Sequence, residues 1–120
     1  MADAGKHHVI DYVEIYVTDM DRAKAFYGEV FGWKLTEYAP SYVGFSDGAR
    51  GVREAGGLCL VENVTPGGPL VLLYSADLEQ SQKAVQSGGG KLRKRIYPFP
   101  GGRRFEFEDP SGNVLGVWGE

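Results

Sequence analysis

The 120-residue sequence contains a single cysteine and two histidines, and it has no excess of positive charge. One cysteine, Cys59, excludes an internal disulfide framework and suits a reducing compartment. No run approaches the roughly 18 apolar residues of a membrane-spanning helix. Residues 1–8 (MADAGKHH) lack the apolar stretch of a secretory signal, so a cytoplasmic protein beginning in a loose tail is expected. Thirteen Lys and Arg against sixteen Asp and Glu give a net charge of -3. That balance removes the global positive charge of a nucleic-acid binder. At 42% hydrophobic residues, the chain is not of the disordered class either. Its length fits one domain. Glycine is abundant, at 18 residues.

Residues 9–18 alternate Val13, Ile15 and Val17 with Tyr12, Glu14 and Tyr16, which predicts a strand with an aliphatic face and an aromatic, polar one. Asp19 is placed to cap a helix, Ala23, Phe26, Tyr27 and Val30 recur at helical spacing, and Gly32 suits the helix end. Strands are expected at 33–38, 42–45 and 57–61, with a loop over 46–57. The pattern then restarts. A strand at 70–75 leads to Asp77 as a second cap, a helix over 78–87, and strands at 91–97, 103–108 and 114–118.

The order is therefore β-α-β-β-β twice. The two Asp-headed junctions, at Asp19 and Asp77, lie 58 residues apart. Such an internal repeat implies two similar modules, here 9–62 and 69–119 joined by a linker at 63–68, sharing one domain. Neither half alone, at roughly 60 residues, would bury much surface.

Two segments carry a family resemblance: VEIYVTDMDRAKAFYGEVFGWKL at 13–35 and FEDPSGNVLGVW at 107–118. The sequence resembles the vicinal oxygen chelate superfamily, the glyoxalase I, bleomycin-resistance and extradiol-dioxygenase group. The resemblance implies an α+β fold in which two βαβββ modules form a curved mixed sheet around a cup. It also implies a homodimer and a small molecule bound inside the cup.

Metal-dependent members place ligands at positions that correspond here to Tyr12, to the strand carrying Cys59, to Val71 and to Gly116. Val71 and Gly116 have no side-chain donor, and a divalent site needs three or four N, O or S ligands. The expectation is a cup without resident metal, a divalent metal being the alternative. Glu14 and Cys59, a hard and a soft ligand from two strands, are a weak pair. His7 and His8 precede the first strand and read as tail.

Extended by period 2, the cup-facing residues are Tyr12, Glu14 and Tyr16 from the first strand and Val71, Leu73 and Ser75 from the fifth. Val114, Gly116 and Trp118 come from the last strand. Cys59 joins them, as do Arg104 and Glu106 if Phe105 and Phe107 pack beneath a helix. This lining is apolar and aromatic, as small-molecule pockets are. Gly116 leaves room where the family has a carboxylate, and Arg104 is placed to clamp an anion.

The basic hairpin (Lys91, Arg93, Lys94, Arg95, Arg103, Arg104) spreads its charge over both strand faces, which argues against a nucleic-acid patch. Three readings remain. The first is a binder of small molecules that catalyses nothing. The second is a lyase, isomerase or dioxygenase with an altered site, with Glu14 as general base if burial raises its pKa. The third is an interaction module whose cup is filled by its own side chains, leaving no cavity beside Gly116.

Overall fold

The structure, a computed structural model, describes residues 6–51 and 53–120. The first module contains β1 (Val13–Val17), α1 (Met20–Phe31), β2 (Lys34–Ala39), β3 (Tyr42–Ser46) and β4 (Gly56–Leu60). The second contains β5 (Leu72–Tyr74), α2 (Leu78–Ser87), β6 (Lys91–Phe99), β7 (Gly102–Glu108) and β8 (Val114–Gly119). Each module folds into a four-stranded mixed sheet of the same topology, β1-β4-β3-β2 and β5-β8-β7-β6. In each, the first and last strands pair in parallel and the other pairs are antiparallel. The repeat read from the sequence is thus a repeat of architecture, and the chain has the α+β fold of paired βαβββ modules.

Local chemistry explains the helices. The Asp19 carboxylate accepts from the Arg22 N–H at 3.1 Å, and Asp77 accepts from Gln80 N–H at the same distance. Each satisfies one donor that the first helical turn leaves unpaired. α1 ends at Gly32, whose φ of 70° is left-handed and whose N–H returns to the Gly28 carbonyl. Met20, Ala23, Phe26 and Tyr27 form the buried stripe of α1.

That stripe joins the modules. Phe26 and Phe31 both lie 5.9 Å from Phe107 of β7, ring centre to ring centre. Tyr27 stacks on Trp33, which stacks on Phe45 at 4.3 Å. Ile15, Val17, Val43, Leu58, Phe105, Leu115 and Val117 complete one core drawn from both sheets. The Asn113 side-chain amide donates to the Tyr16 carbonyl at 2.7 Å, and the Ser111 hydroxyl accepts from the Thr18 N–H. The closing turn of the second module therefore docks on the end of β1.

Three strands, β1, β5 and β6, differ from expectation by more than a residue. β1 begins at Val13 rather than residue 9 because its parallel partner β4 begins opposite it, at Gly56. Residues 10 and 11 are held instead by side chains: Arg50 donates to both carbonyls and Arg53 pairs with the Asp11 carboxylate at 2.7 Å. β5 is shortened to three residues, and residues 61–71, which include the expected linker, carry neither helix nor strand. β6 runs on to Phe99 through Pro98, which pairs with Arg103. Proline's missing N–H is tolerated there because β6 is an outer strand.

Candidate functional site

Strand alternation gives each sheet one face under the helices and one free of them. On the helix-free face of the first sheet, Glu14, Gly57, Gly44 and Thr36 form one cross-strand row, and Tyr16, Cys59 and Tyr42 form the next. The Tyr42 hydroxyl donates to Glu14 at 3.0 Å and lies 2.8 Å from the Tyr12 hydroxyl. A phenol has one proton, so Tyr12 donates to Tyr42 and Tyr42 to Glu14. Tyr38 donates to Glu54 at 2.7 Å.

Two glycines make this arrangement possible. A Cβ at Gly57 would strike the Tyr42 phenol, and one at Gly44 would strike the Glu54 carboxylate. Burial, followed by the hydrogen bonds to Tyr12 and Glu14, raises the Tyr42 pKa far above that of an ordinary phenol. The Glu54 hydrogen bond does the same, to a lesser degree, for Tyr38. Glu14 itself is exposed, so the burial on which a general-base role at this position was conditional is not present in the single chain.

On the second sheet, one row crosses all four strands: Tyr74, Trp118, Arg104 and Tyr97. Leu72, Gly116, Glu106 and Lys94 form the adjacent row. Arg104 Nε donates to the Tyr97 hydroxyl, which donates to Glu106 at 2.6 Å. The Arg104 guanidinium lies 5.1 Å from the centre of the Phe99 ring and 5.4 Å from that of Tyr97. Phe99 and Tyr74 both meet Trp118 edge to face. The Glu106 side chain is 13% exposed, with Lys94 Nζ at 3.8 Å and Arg104 Nη2 at 3.9 Å. Val114 pairs with Glu108 further along the same face.

Three site expectations are corrected. The Ser75 hydroxyl lies 2.6 Å from that of Ser81 in α2, so Ser75 is on the helix side and not the cup face. Leu73 pairs with Val117 and packs against the core, so it lies on the face opposite Gly116. Leu72 and Tyr74 take the helix-free face instead. The count from Val71 slipped by one residue because Val71 is not a strand residue; its carbonyl accepts from the Gly116 N–H before pairing begins at Leu72. The space expected beside Gly116 is also absent, since a Cβ there would strike the Leu72 side chain.

A separate opening lies elsewhere. It is a cleft of about 620 Å³ between the modules, on the helix side of the first sheet, where Val13, Ile15, Trp33 and Phe45 face Val71 and Leu73. Among the described residues, no hydrogen bond, ion pair or ring contact links the side chains of Tyr12, Glu14 or Tyr16 to those of Arg104, Glu106 or Trp118. The structure thus gathers the expected site residues into two groups, one on each sheet.

The donors do not fit a divalent cation at the family's ligand positions. Val71 and Gly116 offer none, and the Tyr12 hydroxyl is engaged by Tyr42. Among the described residues, no three His, Cys, Asp or Glu side chains are grouped as a ligand set. Sequence reasoning missed Tyr42, Glu54, Leu72, Tyr74, Tyr97 and Phe99. Gly44 and Gly57 face each other across β3 and β4, and that pairing, which makes room for Glu54 and Tyr42, is not visible in the sequence.

With these sheets and faces established, the relationship to known proteins is direct. Residues 9–117 match the Glyoxalase/Bleomycin resistance protein/Dioxygenase superfamily, and the chain belongs to that family. A glyoxylase-like domain-containing protein of Didymella fabae is 31% identical over 124 residues, covering 92% of this chain and 93% of its own. A glyoxalase-related enzyme from Fulvimarina pelagi superposes with a TM-score of 0.76 at 19% identity, over 94% of this chain and 88% of that one. TnmS3, an antibiotic-binding protein from Streptomyces sp. CB03234, superposes with a TM-score of 0.67 at 24% identity, over 98% of both chains. Among the described residues, no helix is long and apolar enough to cross a membrane.

Proposed function

We propose that this protein binds a small organic molecule stoichiometrically, with no resident metal and no turnover. The observation that carries this reading is the row Tyr74–Trp118–Arg104–Tyr97. Aromatic surface combined with a few fixed polar groups is how small-molecule sites gain both affinity and orientation. The antibiotic-binding relative of the same fold supports the same use.

The proposal includes a homodimer in the cytoplasm. β1 and β5 are outer strands of their sheets. The exposed large apolar residues concentrate around them: Val9, Ile10, Tyr12 and Tyr16 on one side, Leu70, Val71, Leu72 and Tyr74 on the other. Apolar surface beside an open strand edge marks an interface. In the proposed dimer, β1 of one copy lies beside β5 of the other, so that the helix-free faces of two modules line one cup.

The test is native mass spectrometry of the purified protein with a panel of aromatic antibiotics and metabolites. Product analysis runs in parallel, with and without added divalent metals. One intact ligand per cup supports the reading, and metal-dependent product formation overturns it. A second reading, an interaction module, is favoured by the Leu72 side chain filling the space over Gly116. A panel with no binder, together with a stable protein partner, would select it.

A further inference from the structure

We propose that the second sheet selects a planar aromatic anion, one whose acid group sits directly on its ring system or one atom away. This inference rests on the small-molecule reading and names the ligand class of that site. The acid would be taken by Arg104. A guanidinium has five N–H donors in a rigid fork. Only Nε is engaged in a hydrogen bond among the described residues, by the Tyr97 hydroxyl. Among the described residues, no buried side-chain donor is left without a partner, so the Nη donors open to solvent.

The fork is held ready to bind. Tyr97 fixes Nε, and the Phe99 and Tyr97 rings border the guanidinium. A pre-positioned side chain loses less conformational freedom when a ligand arrives. Glu106 does not cancel the charge, because Lys94 also lies within 4.0 Å of it, so these three side chains keep one positive charge in excess.

The ring half of the ligand follows from the register. Trp118 is the direct cross-strand partner of Arg104, and Tyr74 is the direct partner of Trp118. Neighbouring strands lie about 4.8 Å apart. An acid seated on Arg104 therefore brings a ring attached to it over Trp118, and a second fused ring toward Tyr74. Tyr74 is 56% exposed, leaving surface for that contact.

The experiment is calorimetric titration of the intact protein with 2-naphthoate and with its neutral counterpart 2-naphthamide. The expected result is at least roughly tenfold tighter binding of the acid, the worth of one charge-assisted hydrogen bond. Arg104→Gln should abolish that preference, weakening the acid at least roughly tenfold and the amide much less. Tyr97→Phe, which keeps the ring and the charge, should weaken the acid severalfold and keeps the test open if Arg104→Gln fails to fold. Equal binding of acid and amide, or a preference that survives both variants, overturns the inference and leaves the small-molecule reading standing. Binding of neither probe overturns the inference too, and the broader panel then decides the small-molecule reading separately.

Discussion

The Tyr27 hydroxyl donates to the Asp109 carboxylate at 2.7 Å across 82 residues of sequence, and both side chains are buried. The same carboxylate accepts from the backbone N–H groups of Ser111 and Asn113 and from the Asn113 amide. One aspartate therefore shapes the Asp-Pro-Ser-Gly-Asn turn and ties it to α1. Tyr27→Phe should destabilise the fold by about 1.5–3 kcal/mol, the usual range for a hydrogen bond to a charged group. Asp109→Ala should cost more, since it strands four donors at once. Urea denaturation of the two variants measures both.

The same pair predicts the alkaline limit of stability. Burial first, and the nearby Asp109 charge second, raise the Tyr27 pKa well above the ordinary phenol value of 10.0. The folded state then holds its proton more tightly than the unfolded chain. Stability from this source is complete below about pH 10 and falls as pH rises from there toward the folded pKa. Denaturation midpoints measured from pH 8 upward should drop beyond pH 10, and the drop should be shallower in Tyr27→Phe. An unchanged slope in that variant would contradict the assignment.

Gly116 and Leu72 form a second coupled pair. Gly116→Ala should destabilise by about 1–3 kcal/mol through overpacking against the Leu72 side chain. Leu72 is partly exposed, so Leu72→Ala alone should cost little. The double variant should recover most of the loss, a coupling that a double-mutant cycle reads directly. Additive effects would mean that Leu72 does not cover residue 116.

The two helix caps provide a matched test of the repeat. Asp19→Ala and Asp77→Ala each remove a carboxylate that accepts one first-turn N–H at 3.1 Å. Each should lower stability by about 1 kcal/mol, and the effects should add, because the caps occupy separate helices. Thermal unfolding of the singles and the double checks this.

Assembly is testable at the outer strands. Val71→Asp should shift the protein from dimer to monomer in light-scattering measurements. Tyr38→Ser, on β2 at the opposite side of the first sheet, should leave the dimer intact although Tyr38 is 63% exposed. A wild-type monomer at high concentration would remove the dimer from the proposal.

The sequence carried the element order well because capping and alternation are local. Asp19, Gly32 and Asp77 stand where the helices begin and end, and Phe105 and Phe107 lie under the helices as period 2 requires. The site was less legible because it depends on pairing between distant strands. The face of Leu73 turned on where β5 begins, which is set by the Gly116 N–H bonding to the Val71 carbonyl, 45 residues apart. The filling of Gly116 by Leu72 and of Gly57 by Tyr42 needs the same long-range register, which composition and spacing do not encode.

The docking of Asn113 on Tyr16 also bears on how the chain is made. During synthesis from the N-terminus, the first module emerges complete while the turn that closes against it is still to be translated. Until residues 105–113 emerge, Phe26, Tyr27 and Phe31 lack the surface that covers them. The nascent first half is therefore the stage at which the chain needs protection from aggregation, and a truncation before residue 105 should be recovered as insoluble protein.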